Sequence, residues 1–174
     1  PLAIVQVIAY RLAGALTSLD SMITRIRQDT IDVPFQQGWH SLFAGLSAMS
    51  RGDLPAAQRS LQEAIAHWDD GGGGRMTRTF ARSWLAAVNA MAGRAVDARR
   101  EIAAIEQSPH DAEAGAWDLD RLIAEAWTCA AEGATSQAIS ILRDAATKEF
   151  ERGRAAWEVV LLQTATQLGD HTTA

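Results

Sequence analysis

The stretch Ser50-Arg51-Gly52-Asp53-Leu54-Pro55-Ala56-Ala57 decides the fold, because related stretches recur at regular distances along the chain. Its glycine is followed by aligned glycines at positions 93, 133 and 169, at steps of 41, 40 and 36 residues. Gly14 heads a weaker copy 38 residues earlier. A recurrence at this period is typical of arrays of helix–turn–helix units. The sequence therefore predicts an all-α chain of antiparallel helix pairs, with a glycine in the turn of each pair.

Residues at fixed distances from these glycines are alike, and they indicate which helix faces pack. An alanine follows each of the first three glycines by five residues, a branched aliphatic residue by nine, and a small or aliphatic residue by twelve. These offsets differ by four and three, so the side chains share one face of the second helix. Seven residues before each glycine the first helix carries a small residue, which allows close packing. The face consists of Ala57, Leu61 and Ala64, then Ala98, Ile102 and Ile105, then Ala138, Leu142 and Ala145; the small residues are Gly45, Ala86 and Ala126.

Helix boundaries follow from caps and from residues that break helices. Asp53 is a candidate N-cap, and Pro55 falls in the first turn, where a missing N–H costs little. The residue before Pro34 avoids the α region. The glycine run 71–74 carries a large helix penalty; it predicts an exposed loop, with a hinge between two sub-bundles as the alternative. The predicted helices lie near 2–13, 16–29, 36–50, 54–68, 76–91, 95–106, 111–131, 135–151 and 153–168.

The small residue, the glycine turn and the alanine–aliphatic face resemble the tetratricopeptide repeat family over roughly residues 12–170. The resemblance implies a right-handed superhelix of antiparallel helix pairs. The family's period of about 34 residues is shorter, and its two aromatic positions hold other residues here. Units near 40 residues that are rich in Ala, Leu and Arg are similar to the helical arrays of large bacterial LuxR-type regulators. We expect a single domain over 1–174, a fragment of a longer protein, with units near 1–34, 35–74, 75–109 and 110–151 and a truncated unit at 152–174.

Composition limits the classes of function. The chain has 48% hydrophobic and 21% charged residues, which is typical of a globular protein. The net charge of −5 argues against direct nucleic-acid contact. The apolar run at residues 2–10 is shorter than the roughly 20 residues that span a bilayer. The lone Cys129 allows no internal disulfide, which fits a reducing cytoplasmic setting.

The resemblance also implies a binding surface, because in that family the inner, concave groove is formed by the first helix of each unit. We expect this groove to be mostly apolar and Trp39, Phe80 and Trp127 to be partly exposed on it. The alternative left open is that the aromatic residues fill the core between longer helices. The predicted groove residues are Trp39, Leu42, Leu46 and Met49, then Phe80, Ser83, Ala87 and Ala90, then Asp120, Ile123, Trp127 and Ala130, with Val159, Gln163 and Thr166 closing it.

The sequence contains little that indicates a catalytic function. The glycine run lacks the Gly-Lys-Ser/Thr of a phosphate loop, and no two histidines have the spacing of a zinc-binding helix. The acidic stretch formed by Asp118, Asp120, Glu125 and Glu132 is interpreted as a solvated helix face, and Cys129 as a small buried hydrophobe. We expect no metal and no cofactor.

These observations predict a non-enzymatic sensor or interaction module of a bacterial transcriptional regulator. Its partners would be a protein or small-molecule effector in the groove and the neighbouring domains of the parent protein, while the oligomeric state stays open. One alternative is a free-standing scaffold or self-association domain. A second is a helical hydrolase or lyase that uses Asp118, Asp120 or a histidine such as His110.

Overall fold

The computed structural model describes residues 2–29, 33–71, 74–107 and 118–169, and within them the chain is all-α. Each helix boundary lies within two residues of its prediction, except the start of α7, because the predicted residues 111–117 fall outside the described part. The helices are α1 (Leu2–Leu12), α2 (Leu16–Asp29), α3 (Pro34–Ser50), α4 (Leu54–Asp70), α5 (Arg75–Met91), α6 (Ala95–Glu106), α7 (Asp118–Ala131), α8 (Thr135–Glu151) and α9 (Ala155–Gln167).

The aligned glycines lie in the turns between paired helices, as predicted. Gly52 joins α3 to α4 with a φ of 79°, and Gly93 and Gly133 have φ values of 74° and 88° in the turns after α5 and α7. The amide of Gly52 donates to Met49 O at 3.0 Å, and the amide of Asp53 donates to Ala48 O at 3.0 Å. This pair of hydrogen bonds is the Schellman motif, whose left-handed residue is usually glycine because it has no Cβ.

Capping residues explain where α3 and α4 begin and where α4 ends. Asp53 is an N-cap, since its Oδ1 accepts from the Ala56 amide at 3.0 Å. Pro34 is the first residue of α3, two residues earlier than predicted, because its fixed φ suits the first turn of a helix. Gly71 caps α4, where its N–H donates to His67 O at 2.9 Å. The centre of the predicted hinge, residues 72–73, lies outside the described residues.

The chain divides into two compact units, Pro1–Ala81 and Arg82–Ala174. In the first unit α1 packs on α2, α2 on α3, and α3 on α4. Its core includes the fully buried side chains of Leu19, Leu42, Leu61 and Trp68. In the second unit α6 packs on α7, α7 on α8, and α8 on α9, around the buried side chains of Ile102, Leu142 and Leu161.

The α3–α4 pair shows which surface of a first helix meets its second helix. A Cβ added to Gly45 would lie 2.9 Å from Leu61 Cγ and 3.3 Å from Ala57 O, and one added to Gly38 would lie 2.6 Å from Trp68 Cε2. Gly38 and Gly45 share one face of α3 with Leu42 and Met49. We call such a face, 14, 10, 7 and 3 residues before a turn glycine, the pairing stripe. The predicted face of the second helix is likewise buried in all three copies.

None of the described helices is both long and apolar enough to cross a membrane.

Candidate functional site

The predicted groove residues differ in their exposure. Leu42, Leu46 and Phe80 are at most 2% exposed, so the expectation that Phe80 is partly exposed is wrong. Met49, Ser83 and Ile123 are also buried, whereas Trp39 and Trp127 are half-buried. The burial of Leu42 and Ile123 has a common physical reason, since each lies ten residues before a turn glycine, on a pairing stripe, and α3 packs on α4 as α7 packs on α8. Ser83 holds the same position on α5. Of these eight residues, Trp39 and Trp127 keep part of their surface available to a partner, and a binding role for the set stays a prediction.

Trp39 belongs to an aromatic cluster on α3 and α4. Its ring centroid lies 5.3 Å from that of Trp68 in an edge-to-face arrangement and 5.8 Å from that of Phe43. Trp68 is fully buried, and its Nε1 donates to Phe35 O at 3.1 Å. For Trp68 the core interpretation of the aromatic residues is therefore correct. The sequence did not indicate this cluster, because Trp39 and Trp68 are distant in the chain and only packing brings them together.

A charged cluster joins α6 to α7. Arg99 Nη1 donates to Glu125 Oε1 at 2.6 Å, while Arg99 Nη2 and Nε donate to the two carboxylate oxygens of Glu132 at 2.6 and 3.0 Å. The hydrogen bond from Arg99 holds the pKa of Glu132 below its usual value. The interpretation of the acidic stretch as a solvated face is wrong for Asp120, which is buried. Asp118 and Glu132 are exposed, as predicted, and Glu125 is half-buried against Arg99.

Cys129 lies beside this charged cluster. Its Sγ is 3.8 Å from Glu125 Oε1 and 4.0 Å from Arg99 Nη2, and its side chain is 2% exposed. Burial raises the pKa of the thiol, so the neutral form is favoured. A raised pKa is the opposite of what a thiolate nucleophile needs. The prediction of a small buried hydrophobe at this position is confirmed.

A second charged cluster closes the turn between α8 and α9. The Glu149 side chain is 1% exposed, and its Oε1 accepts from Arg152 Nη1 at 3.0 Å and from Arg154 Nη2 at 2.7 Å. Gly153, between the two arginines, has a φ of 69°. The sequence predicted a helix break here but not the charged cluster, although a glutamate four residues before a glycine flanked by arginines was the available signal.

Among the described residues, the candidate catalytic residues of the hydrolase or lyase alternative do not form one site. Asp118 is exposed at the start of α7, while Asp120, two residues later in the same first turn, is buried. Among the described residues, no three His, Cys, Asp or Glu side chains are grouped so that they could hold a metal ion. His110 lies outside the described residues. For His40, on α3, burial and the nearby Arg27 lower the pKa, so the imidazole is neutral near pH 7.

Comparison of the sequence and the fold with protein-family models, with curated proteins and with solved structures gives no match.

Proposed function

We propose that this chain is a non-enzymatic interaction module built as a tetratricopeptide-like array, a right-handed superhelix of antiparallel helix pairs. One observation carries the proposal. The glycines at 52, 93 and 133 close three helix pairs with a left-handed residue, and the alanine five residues after each of them is fully buried. Arrays of repeats bury their core between neighbouring units and leave an extended surface for binding.

The partner would bind along the first helices of the pairs. Trp127 on α7 is the anchor that we propose in the second unit, because it is a predicted groove residue with a half-buried side chain and tryptophan is enriched among binding hot spots. Trp39 has the same partial exposure, but it packs on Trp68. Replacing Trp39 would therefore disturb the core as well as the surface.

The broader setting that we propose is a bacterial cytoplasmic regulator of the LuxR type. Its helical array would bind a protein or small-molecule effector. An effector that binds one packing arrangement of the repeats better than another would shift the population towards that arrangement. The neighbouring domains of the regulator would respond to that shift.

Site-specific photo-crosslinking in cells tests the proposal. A photoreactive phenylalanine analogue at position 127 should give a discrete crosslinked species. The same analogue at Ser140, an exposed residue of α8, is the matched control and should give none. Discrete adducts at 127 alone support binding through the first helix. Equal adducts at both positions, or adducts at neither, contradict it.

A further inference from the structure

Polar contacts hold the start of α2 against the end of α3. Ser47 Oγ donates to Asp20 Oδ1 at 2.7 Å, and Arg51 forms an ion pair with the same carboxylate. Arg51 Nη2 also donates to Leu16 O at 3.3 Å. Because Leu16 begins α2 and Arg51 follows α3, these contacts show that the two helices run antiparallel.

The register of this antiparallel pair places His40 opposite Arg27. Arg27 lies seven residues, about two helical turns, after Asp20 on α2, and His40 lies seven residues before Ser47 on α3. The hydrogen bond between Asp20 and Ser47 therefore fixes a second meeting point two turns away. Electrostatics agrees with this placement, since Arg27 contributes to lowering the pKa of His40, as a nearby cation does.

Apolar side chains fill the interface between these two meeting points. Ile23 lies between Asp20 and Arg27 on α2 and is 8% exposed, and Phe43 lies between His40 and Ser47 on α3 and is 3% exposed. One end of the interface thus contains an attraction between opposite charges. The other end sets an arginine against an imidazole that can gain a charge.

Groups on three helices determine the charge of His40. The imidazole is half-buried; burial, followed by Arg27 on α2, lowers its pKa, while Glu63 on α4 raises it. The arginine of α1, Arg11, is bound at the other end of α3, where its Nε donates to Ser50 Oγ at 3.0 Å. When α2 is displaced, the imidazole loses both its cover and the facing arginine, so it binds a proton more tightly.

We propose that the α1–α2 pair, Leu2–Asp29, is a pH-responsive flap on α3, which protonation of His40 loosens by setting an imidazolium against Arg27. Docking of the flap is fully stabilised above the ordinary pKa of histidine and weakens as the pH falls from there towards the lowered pKa of the docked state. Release uncovers the face of α3 that carries Phe43 and Ser47, which are buried in the docked state. The proposal does not depend on a partner at Trp127, so the two can fail separately.

Hydrogen–deuterium exchange of the full chain tests the flap. Exchange is measured by mass spectrometry at about pH 7.5 and about pH 5.5, and protection is expressed relative to the unfolded chain at the same pH. Both values lie above the reference pKa of carboxyl groups, about 4, so histidine is the side-chain type that titrates between them. Helices as short as α1 and α2 are marginal alone, so their amides exchange when the flap opens. We expect their protection to fall about twofold or more at the lower pH, beyond any change in α4.

Three variants locate the effect. His40→Gln removes the titrating group and should abolish the pH response of α1 and α2. Arg27→Gln, at an exposed position, keeps the imidazole but removes the facing charge and should reduce the response. His67→Gln is the matched control, because His67 is a half-buried histidine of α4 in the same unit, and it should leave the response unchanged. Circular dichroism at the higher pH checks that each variant keeps the helical content of the parent chain.

Three results would overturn the proposal. The first is protection of α1 and α2 that does not change between the two pH values. The second is a loss that α4 shares equally, because the whole first unit would then be unfolding. The third is a response that persists in His40→Gln or that His67→Gln reduces as much, because another group would then be titrating.

Discussion

The indole of Trp68 on α4 occupies the space in which a side chain of residue 38 on α3 would stand. A Cβ on Gly38 would lie 2.6 Å from Trp68 Cε2 and 2.7 Å from Cδ1. Such a separation is shorter than any normal van der Waals contact, and an indole ring has no flexible end that can move aside. The absence of a side chain at position 38 therefore allows α3 and α4 to approach with the largest side chain of the core between them.

Gly38→Ala should destabilise the protein by about 1–3 kcal/mol through overpacking, even though alanine is the better helix former. Urea unfolding followed by circular dichroism measures the change. The matched control is the same substitution in a Trp68→Phe background, where the smaller ring leaves room for a methyl group. The cost should then fall sharply, and an equal cost in both backgrounds would show that the two residues do not interact.

The turn glycines are required for backbone conformation and not for space. Gly133 has a φ of 88°, and a Cβ there would meet no atom within 4 Å. Gly133→Ala should cost about 1–2 kcal/mol, because a Cβ strains the left-handed region. Gly133→Asn should cost less, since asparagine tolerates this region better. Thermal or urea unfolding of the two variants gives the comparison; an alanine variant as stable as the asparagine variant would argue against a strained turn.

The pH dependence of stability should contain a contribution from Glu132. Its pKa in the folded state lies below the usual value of 4.5 because Arg99 donates to it. Between the pKa of the folded state and the ordinary pKa, the unfolded state therefore binds more protons than the folded state. The stabilisation is fully present above the ordinary pKa and is lost as pH falls through the pKa of the folded state. Unfolding free energies measured from neutral pH into the acid range should fall less steeply for Arg99→Gln than for the parent chain. Parallel curves would contradict this contribution.

In the cluster of Glu149, Arg152 and Arg154, we expect removal of the carboxylate and removal of the arginines to change the free energy of unfolding by different amounts. Glu149 is 1% exposed, whereas Arg152 and Arg154 are 62% and 41% exposed. Glu149→Gln leaves two arginines that water can solvate, and it should cost about 1–2 kcal/mol. The double variant Arg152→Gln/Arg154→Gln leaves a buried carboxylate without charge compensation and should cost more. Urea unfolding shows which of the two variants is less stable. A less stable Glu149→Gln variant would mean that the Glu149 carboxylate is solvated.

The features that the sequence predicted correctly depend on local chemistry. Gly52 and Asp53 identify a helix end and the next helix start, because a left-handed residue and an N-cap are properties of single positions. Ala57 and Leu61 reveal a buried face because their spacing follows the helical period. Phe80 was predicted to be partly exposed and is not, since the exposure of a helix position depends on which neighbouring helix covers it.

The clusters that the sequence did not predict depend on distances between helices. Arg99 reaches Glu125 on α7 and Glu132 in the turn after it, 26 and 33 positions further along the chain. The contact of Trp39 with Trp68 likewise needs the approach of α3 to α4 that Gly38 allows. Spacing within one helix contains no information on either contact.

The most direct test of the central claim, that this chain works by binding through the first helices of its pairs, is the affinity of the partner crosslinked at position 127. Isothermal titration calorimetry of the parent chain and of Trp127→Ala should show a dissociation constant about tenfold or more higher for the variant, as expected for a hot-spot tryptophan. The helical circular dichroism signal should be unchanged. An unchanged dissociation constant in a folded Trp127→Ala variant would contradict the account.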